Sequence, residues 1–274
     1  MSNAPKAYNN LEFLNSPDAR VIRLISEFLE PHRRFRKHRV NGTIVFFGSA
    51  RIKSKVEARN SLNNLKLRSL NNKISPAGLK LKLSQGKTDF QMSQYYEDAV
   101  KLAKYITEWS NGLSEPNRFV VCSGGGPGIM EAANKGAIAG KGRSIGLNIS
   151  LPFEQGANKF ITKDMNFEFH YFFMRKFWFV YLSKALVMFP GGFGTFDELF
   201  EVLTLLQTKK IKKKVTVVLY GEEYWKKIIN FDAMVKLGVI SKKDMKLFKF
   251  ASSPEEAFEH LKMELKKNYP ALTK

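Results

Sequence analysis

Three stretches of the sequence bring together residue types that can hold an anion and act on it. The first is Ser123-Gly-Gly-Gly-Pro-Gly128, which follows the apolar run Phe119-Val-Val-Cys122 and opens a helical pattern. Pro127 suits a first helical position, where its missing N–H costs nothing. With glycines ahead of the helix instead of Ser, Thr or Asp, no side chain occupies the free N–H groups at the helix end, and a phosphate could take them. A turn that needs glycine only for positive φ is the plainer explanation, but it accounts less readily for four glycines in five positions. The second stretch, Pro190-Gly-Gly-Phe-Gly-Thr195, again follows a strand-like run and leads into Phe196, Asp197 and Glu198. Thr195 and Glu198 stand in the T-x-x-E relation of a capping box, so Glu198 is either a cap or a carboxylate directed at a ligand. The third is Tyr171–Leu182, where ten of twelve residues are apolar or aromatic and Arg175 and Lys176 interrupt them. Lys176 can snorkel at an edge. A guanidinium in so apolar a helix needs an anion or a carboxylate, and Glu198 or a ligand phosphate is the expected partner.

Neither glycine turn fits a familiar nucleotide fingerprint. A G-x-G-x-x-G frame begun at Gly124 places Ile129 where the third glycine belongs, and the next strand-like run ends in Asn148 and Ser150 instead of the acid that holds a ribose. A Walker loop fails at Gly136–Gly142, one residue short and with Gly142 in place of Ser or Thr. One cysteine, Cys122, excludes a disulfide framework within the chain and a cysteine-cluster zinc site. The four histidines have no metal-ligand spacing, so neither metal nor cofactor is expected.

The elements that must place these residues alternate. Short runs rich in Val, Ile, Leu and Phe (43–47, 119–122, 144–149, 185–189 and 215–219) are separated by helical patterns, with a short extended piece at 166–170. Continuous apolar strands alternating with helices predict an α/β fold: a doubly wound, mostly parallel sheet covered by helices on both faces, Rossmann-like, in a single domain over 1–274. Ahead of it lies an N-terminal helical extension, 1–40, entered at Ser16-Pro17, with Val21, Ile22, Leu24, Ile25, Phe28 and Leu29 at helical spacing and Pro31 as its stop. Residues 51–90 read as a basic insertion with a helix near 53–72, followed by a helix over 91–111. Two C-terminal helical segments, 222–236 and 254–267, close the chain.

At 274 residues and 44% hydrophobic, the chain carries enough apolar material for a core, which excludes wholesale disorder. No run approaches the length of a membrane helix, and the start lacks the basic-then-apolar pattern of a secretory signal, so a cytoplasmic protein without membrane contact is expected. The net charge of +20 is concentrated in three segments: 51–87 at +9, and 31–39 and 209–214 with five basic residues each. Such charge raises nucleic acid as a partner, but without a zinc finger, RNA-binding signature or heptad-linked basic helix that partner is disfavoured.

Taken together, GGGPGIMEAAN, LPFEQ with its following Asn, FFMRK and PGGFGTFDELFEVLTLLQ resemble the LOG family, often labelled lysine decarboxylase. The resemblance spans about 40–50 and 91–260. It implies a cytokinin riboside 5′-monophosphate phosphoribohydrolase, active also on AMP-like nucleotides, in a homodimer or larger assembly. By motif position it implies Arg175 and Glu198 as the catalytic pair and Lys176 as an adjacent binding residue. Gly192, Phe193, Gly194, Thr195, Phe196, Asp197 and Glu198 match the phosphate and ribose loop. Thr204 lies one helical stretch on, Glu154 follows the third strand, Gly125, Gly126 and Gly128 form the other turn, and Ser49 follows the first strand. Phe172-Phe-Met174 stands where plant members have M-H-E/Q, so the groups near the nucleobase differ and a general purine nucleotide is as good a substrate as a cytokinin. The implied reaction is hydrolysis of an N-glycosidic bond to free base and ribose 5-phosphate. The alternative is a non-catalytic nucleotide or cofactor carrier on the same fold, since fold does not fix function.

Overall fold

In the computed structural model, which describes residues 4–70, 76–115, 117–151 and 156–270, the apolar runs become seven strands of one sheet. The chain begins with helices α1 (Leu11–Asn15) and α2 (Arg20–Lys37), strand β1 (Thr43–Phe47), and helices α3 (Lys55–Leu70) and α4 (Pro76–Asn111). It continues with β2 (Val120–Ser123), α5 (Ile129–Ala139), β3 (Ser144–Ile149), β4 (Asn166–Phe169), α6 (Phe172–Tyr181) and β5 (Ser183–Met188). The last elements are α7 (Phe193–Gln207), β6 (Thr216–Tyr220), α8 (Glu222–Ile228), α9 (Phe231–Lys236), β7 (Lys249–Ala251) and α10 (Pro254–Asn268).

The strand order is β4-β3-β2-β1-β5-β6-β7, and every pairing is parallel. All five residues of β1 are buried, as a central strand covered on both faces requires. Side chains from α4, α5 and α10 fill one face, and those from α2, α6, α7, α8 and α9 fill the other. The chain walks from β1 to β4 at one edge, then returns to the opposite side of β1 as β5. That reversal lies between β1 and β5, where an open α/β sheet leaves a crevice at the carboxyl ends of its strands. No helix among the described residues is long and apolar enough to cross a membrane.

Several elements differ from the sequence expectation. The helix of the N-terminal extension does not stop at Pro31, because Phe35 beyond it is buried against Phe167 and Trp178, at ring distances of 4.8 and 5.2 Å. Of its apolar residues at helical spacing, Val21, Ile25 and Leu29 are 63%, 51% and 54% exposed. The insertion has no break near residue 90; α4 runs unbroken from Pro76, with α3 packed along it as a helical hairpin. Gly86 falls within α4 without interrupting it, and Leu62 and Leu65 of α3 pack over that position. The segment 222–236 divides at Asn230, whose side chain accepts from Ala233 N–H at 2.9 Å and starts α9. Strand β7, too short to show in the sequence, is defined by pairing with β6.

Candidate functional site

A cleft of about 740 Å³ opens beside the ends of β1 and β5, walled by the loops after β1, β2, β3 and β5 and by α6. Main-chain contacts tie three of those loops together. Ser49 N–H donates to Pro190 O at 3.0 Å, and Ile129 N–H donates to Ser49 O at 3.1 Å. Ser49 lines the cleft, and its hydroxyl accepts from Arg51 N–H at 3.1 Å.

In the first glycine turn the helix starts later than expected. Gly128, at φ +69°, is the N-cap of α5, so Pro127 lies two residues ahead of the helix and not at its first position. The physical reason is crowding: a Cβ on Gly128 would lie 2.3 Å from Ser49 O, so backbone passes over backbone only with glycine there. Gly125, at φ +76°, is likewise buried in the turn, close under Asn148. Gly126 and Pro127 line the cleft, whereas Gly125 and Gly128 shape the turn behind it.

The second turn removes one of the two roles open to Glu198, that of a cap. Helix α7 begins at Phe193 with Gly192 as an N-cap that offers no side-chain bond, which makes Thr195 a residue of the first turn and not a cap. The capping box is therefore not formed. Gly192, Phe193, Gly194, Thr195, Phe196, Asp197 and Glu198 all line the cleft. A Cβ on Gly192 or Gly194 would meet nothing within 4 Å, so both present bare backbone to open space.

Helix α6 is fixed at both ends. Glu27 of α2 accepts from the N–H groups of His170 and Tyr171, at 2.7 and 3.3 Å, at the entry to α6. At the far end the Lys213 ammonium donates to the carbonyls of Val180, Tyr181 and Ser183. A carboxylate before the first turn and a cation after the last both suit the helix dipole. Between them Arg175 reaches across the sheet edge: Nε donates to Leu147 O at 2.7 Å and one Nη to Gly124 O at 3.3 Å. The sequence suggested a carboxylate or phosphate as its partner; the main-chain carbonyls of Leu147 in β3 and Gly124 just past β2 take two of its N–H groups, and among the described residues no carboxylate does. Among the described residues no ion pair within 4 Å joins Arg175 to Glu198, although both line the cleft.

Lys176 points elsewhere. Its ammonium pairs with Asp197 at 2.7 Å and Glu201 at 2.9 Å, on a shallow groove along α7 that Thr204 also lines. Burial would lower the lysine's pKa, but these two hydrogen bonds hold it above its usual value. Lys176 and Thr204 are thus together but outside the main cleft, and Glu154 lies outside the described residues.

Glu198 is 6% exposed, and its Oε2 has no hydrogen-bond partner. Burial pushes its carboxyl up to about 7, against the pull of Lys176 and Arg175 toward lower values. Burial also lowers the Arg175 guanidinium, with Glu198 opposing. An unpartnered acid that titrates near neutrality in a cleft is the pattern of a general base or an electrostatic stabiliser.

Three further polar residues of the cleft escaped the sequence reading. By sequence Arg51 opens the basic insertion; in the fold it sits just past the β1 turn, at the cleft and free of any ion pair among the described residues. Asn148 and Glu168 lie at the carboxyl ends of β3 and β4. Their strand-end position was the available signal, and the edge pairing of β4 was needed to use it.

Residues 130–261 match the family model described as "Possible lysine decarboxylase". No curated protein matches the chain. Solved structures similar to the chain include the structural-genomics target TM1055, 18% identical with a TM-score of 0.44, over 62% of this chain and 89% of that one. A molybdenum cofactor binding protein from the phototrophic bacterium Rippkaea orientalis is 21% identical, TM-score 0.44, over 62% and 88%. A Moco carrier protein from Chlamydomonas reinhardtii is 22% identical, TM-score 0.44, over 64% and 89%.

Proposed function

We propose that the protein hydrolyses the N-glycosidic bond of a purine nucleoside 5′-monophosphate, giving free base and ribose 5-phosphate. The observation that carries this reading is Glu198: a buried carboxylate without a partner, in the same cleft as Arg175 and the open start of α7. Breaking the C1′–N bond sends its electron pair to the base and leaves positive charge on the sugar. An ionised Glu198 stabilises that charge and takes a proton from the attacking water, whose oxygen bonds to C1′; the departing base takes up a proton from solvent at its nitrogen, and Glu198 returns its own to solvent. The desolvation that raises the carboxyl's pKa also strengthens its field at the sugar. Arg175, held by Leu147 O and Gly124 O, keeps its remaining N–H groups for the ligand and biases Glu198 toward ionisation. Bare backbone at Gly192 and Gly194 suits the 5′-phosphate, whose binding energy then positions the reacting bond.

The test is release of adenine and ribose 5-phosphate from AMP by the purified chain. AMP binding without release would put the carrier reading in its place. The LOG resemblance also implies a homodimer, and the chain has a face to form one: Phe173, Phe177 and Tyr181 of α6 are exposed beside the outward side chains of α2. Light scattering of the purified chain checks this, and a monomer at micromolar concentration would refute it.

A further inference from the structure

Each glycine turn has a carbonyl anchored by a side chain that does not line the cleft. At the first turn Asn158 Nδ2 donates to Gly125 O at 2.9 Å and to Gly126 O at 3.0 Å. Its main-chain N–H also donates to Gly125 O, at 2.8 Å. The Asn158 amide is itself locked, since Oδ1 accepts from Phe160 N–H at 3.1 Å and Nδ2 also reaches Asn134 Oδ1 at 2.9 Å. Asn134 is fully buried and holds Ser123 and Ser144 at the ends of its own amide. At the second turn the Tyr224 hydroxyl donates to Gly191 O at 2.6 Å. Its ring rests against Trp225, whose indole N–H is fixed by the carbonyls of Met188 and Tyr220.

A trans peptide is planar, so the C=O and N–H of one unit point in opposite directions. Anchoring Gly125 O therefore turns the N–H of Gly126 the other way, and anchoring Gly191 O does the same for Gly192. Gly126 and Gly192 line the cleft; Asn158 and Tyr224 do not. Among the described residues neither of these N–H groups meets a protein acceptor.

We propose that Asn158 and Tyr224 are positioning residues that hold two peptide units with their N–H groups toward the cleft, as donors to an anionic group of the ligand. This rests on the nucleotide reading, with the phosphate as that group. Without the anchor, Gly125 at positive φ lets the peptide turn over and bring a carbonyl oxygen toward the anion. The two anchors come from unrelated segments, after β3 and in α8, and act on turns at the ends of two different strands.

The full chain is titrated calorimetrically with AMP, inorganic phosphate and adenosine, as wild type and as Asn158→Asp, Tyr224→Phe and the double variant. Aspartate keeps the size of the side chain but cannot donate, and phenylalanine removes only the hydroxyl. The expected result is a Kd for AMP and for phosphate raised ~10-fold or more in Asn158→Asp, the range for hydrogen bonds to charged groups, with adenosine unchanged. Tyr224→Phe shifts AMP and phosphate the same way by a smaller factor while keeping the wild-type melting temperature. A purely structural role weakens adenosine as much as AMP, and that result overturns the inference. So does unchanged phosphate binding in the folded Tyr224→Phe and Asn158→Asp proteins. Phosphate binding is read without turnover, so a wild type that releases no adenine from AMP refutes the hydrolase reading and leaves this titration to decide the positioning role.

Discussion

Replacing Glu198 by glutamine keeps the shape of the side chain and removes its charge, and the consequence differs across pH. Burial raises the carboxyl from an ordinary 4.5 to about 7 in the folded chain. Between those values the native state holds a proton that the unfolded chain has released. Stability rises with pH only where the unfolded state binds more protons; here the native state binds more, so stability falls as pH climbs through the window. At ~1.4 kcal/mol per pH unit, the loss reaches ~3 kcal/mol above pH 7 and vanishes below pH 4.5. Glutamine bears no such burden. Glu198→Gln is therefore expected to match wild type below pH 4.5 and to exceed it by up to ~3 kcal/mol above pH 7, raising Tm by ~6 °C or more for a chain of this size. The same variant should lose AMP turnover by ~10²-fold or more while still binding AMP. Thermal melts of both proteins across this range, paired with adenine release, measure both effects. A glutamine variant whose advantage does not grow with pH, or one that releases adenine at the wild-type rate, refutes the reasoning.

Wild-type kcat/KM for AMP is expected to fall as pH drops through about 7, where Glu198 takes up its proton, and a flat profile would remove the ionised acid from the reaction. Arg175 pulls the Glu198 carboxyl down, so Arg175→Gln should move that midpoint to higher pH besides lowering the rate; movement to lower pH would contradict the coupling. Arg51→Ala should raise KM for AMP ~10-fold with little change in kcat, as expected for a uniform binding contact, and should leave adenosine unaffected. Gly128→Ala, with its Cβ 2.3 Å from Ser49 O at positive φ, should lose ~2 kcal/mol or more in a denaturant titration. Gly192→Ala meets open space and should keep wild-type stability while weakening AMP binding.

Much of the fold was legible because it depends on local pattern. Fully buried strands such as Thr43–Phe47 are apolar on both faces and must be covered on both, which dictates parallel strands with helices on either side. The bare helix start at Gly192 and Gly194 was legible too, since glycine carries no side chain wherever the chain places it. Pro31 misled because the stopping power of proline is local, whereas the burial of Phe35 that carries α2 onward depends on Phe167 and Trp178, far along the chain. The exposure of Val21, Ile25 and Leu29 could not be read either, because periodicity shows that a helix has an apolar face but not what covers it.

The sequence by itself determined an α/β sheet, two glycine turns at strand ends, and an acid and an arginine beside them, because spacing and residue type are properties of the chain. Only the tertiary structure decided that Arg175 is held by the carbonyls of Leu147 and Gly124, that Lys176 turns out to Asp197 and Glu201, and that Arg51 and Glu168 join the cleft. It also set Glu198 titrating near neutrality. Side-chain direction and burial are fixed by which distant segments pack together, and the strand order β4-β3-β2-β1-β5-β6-β7 is what brings them together.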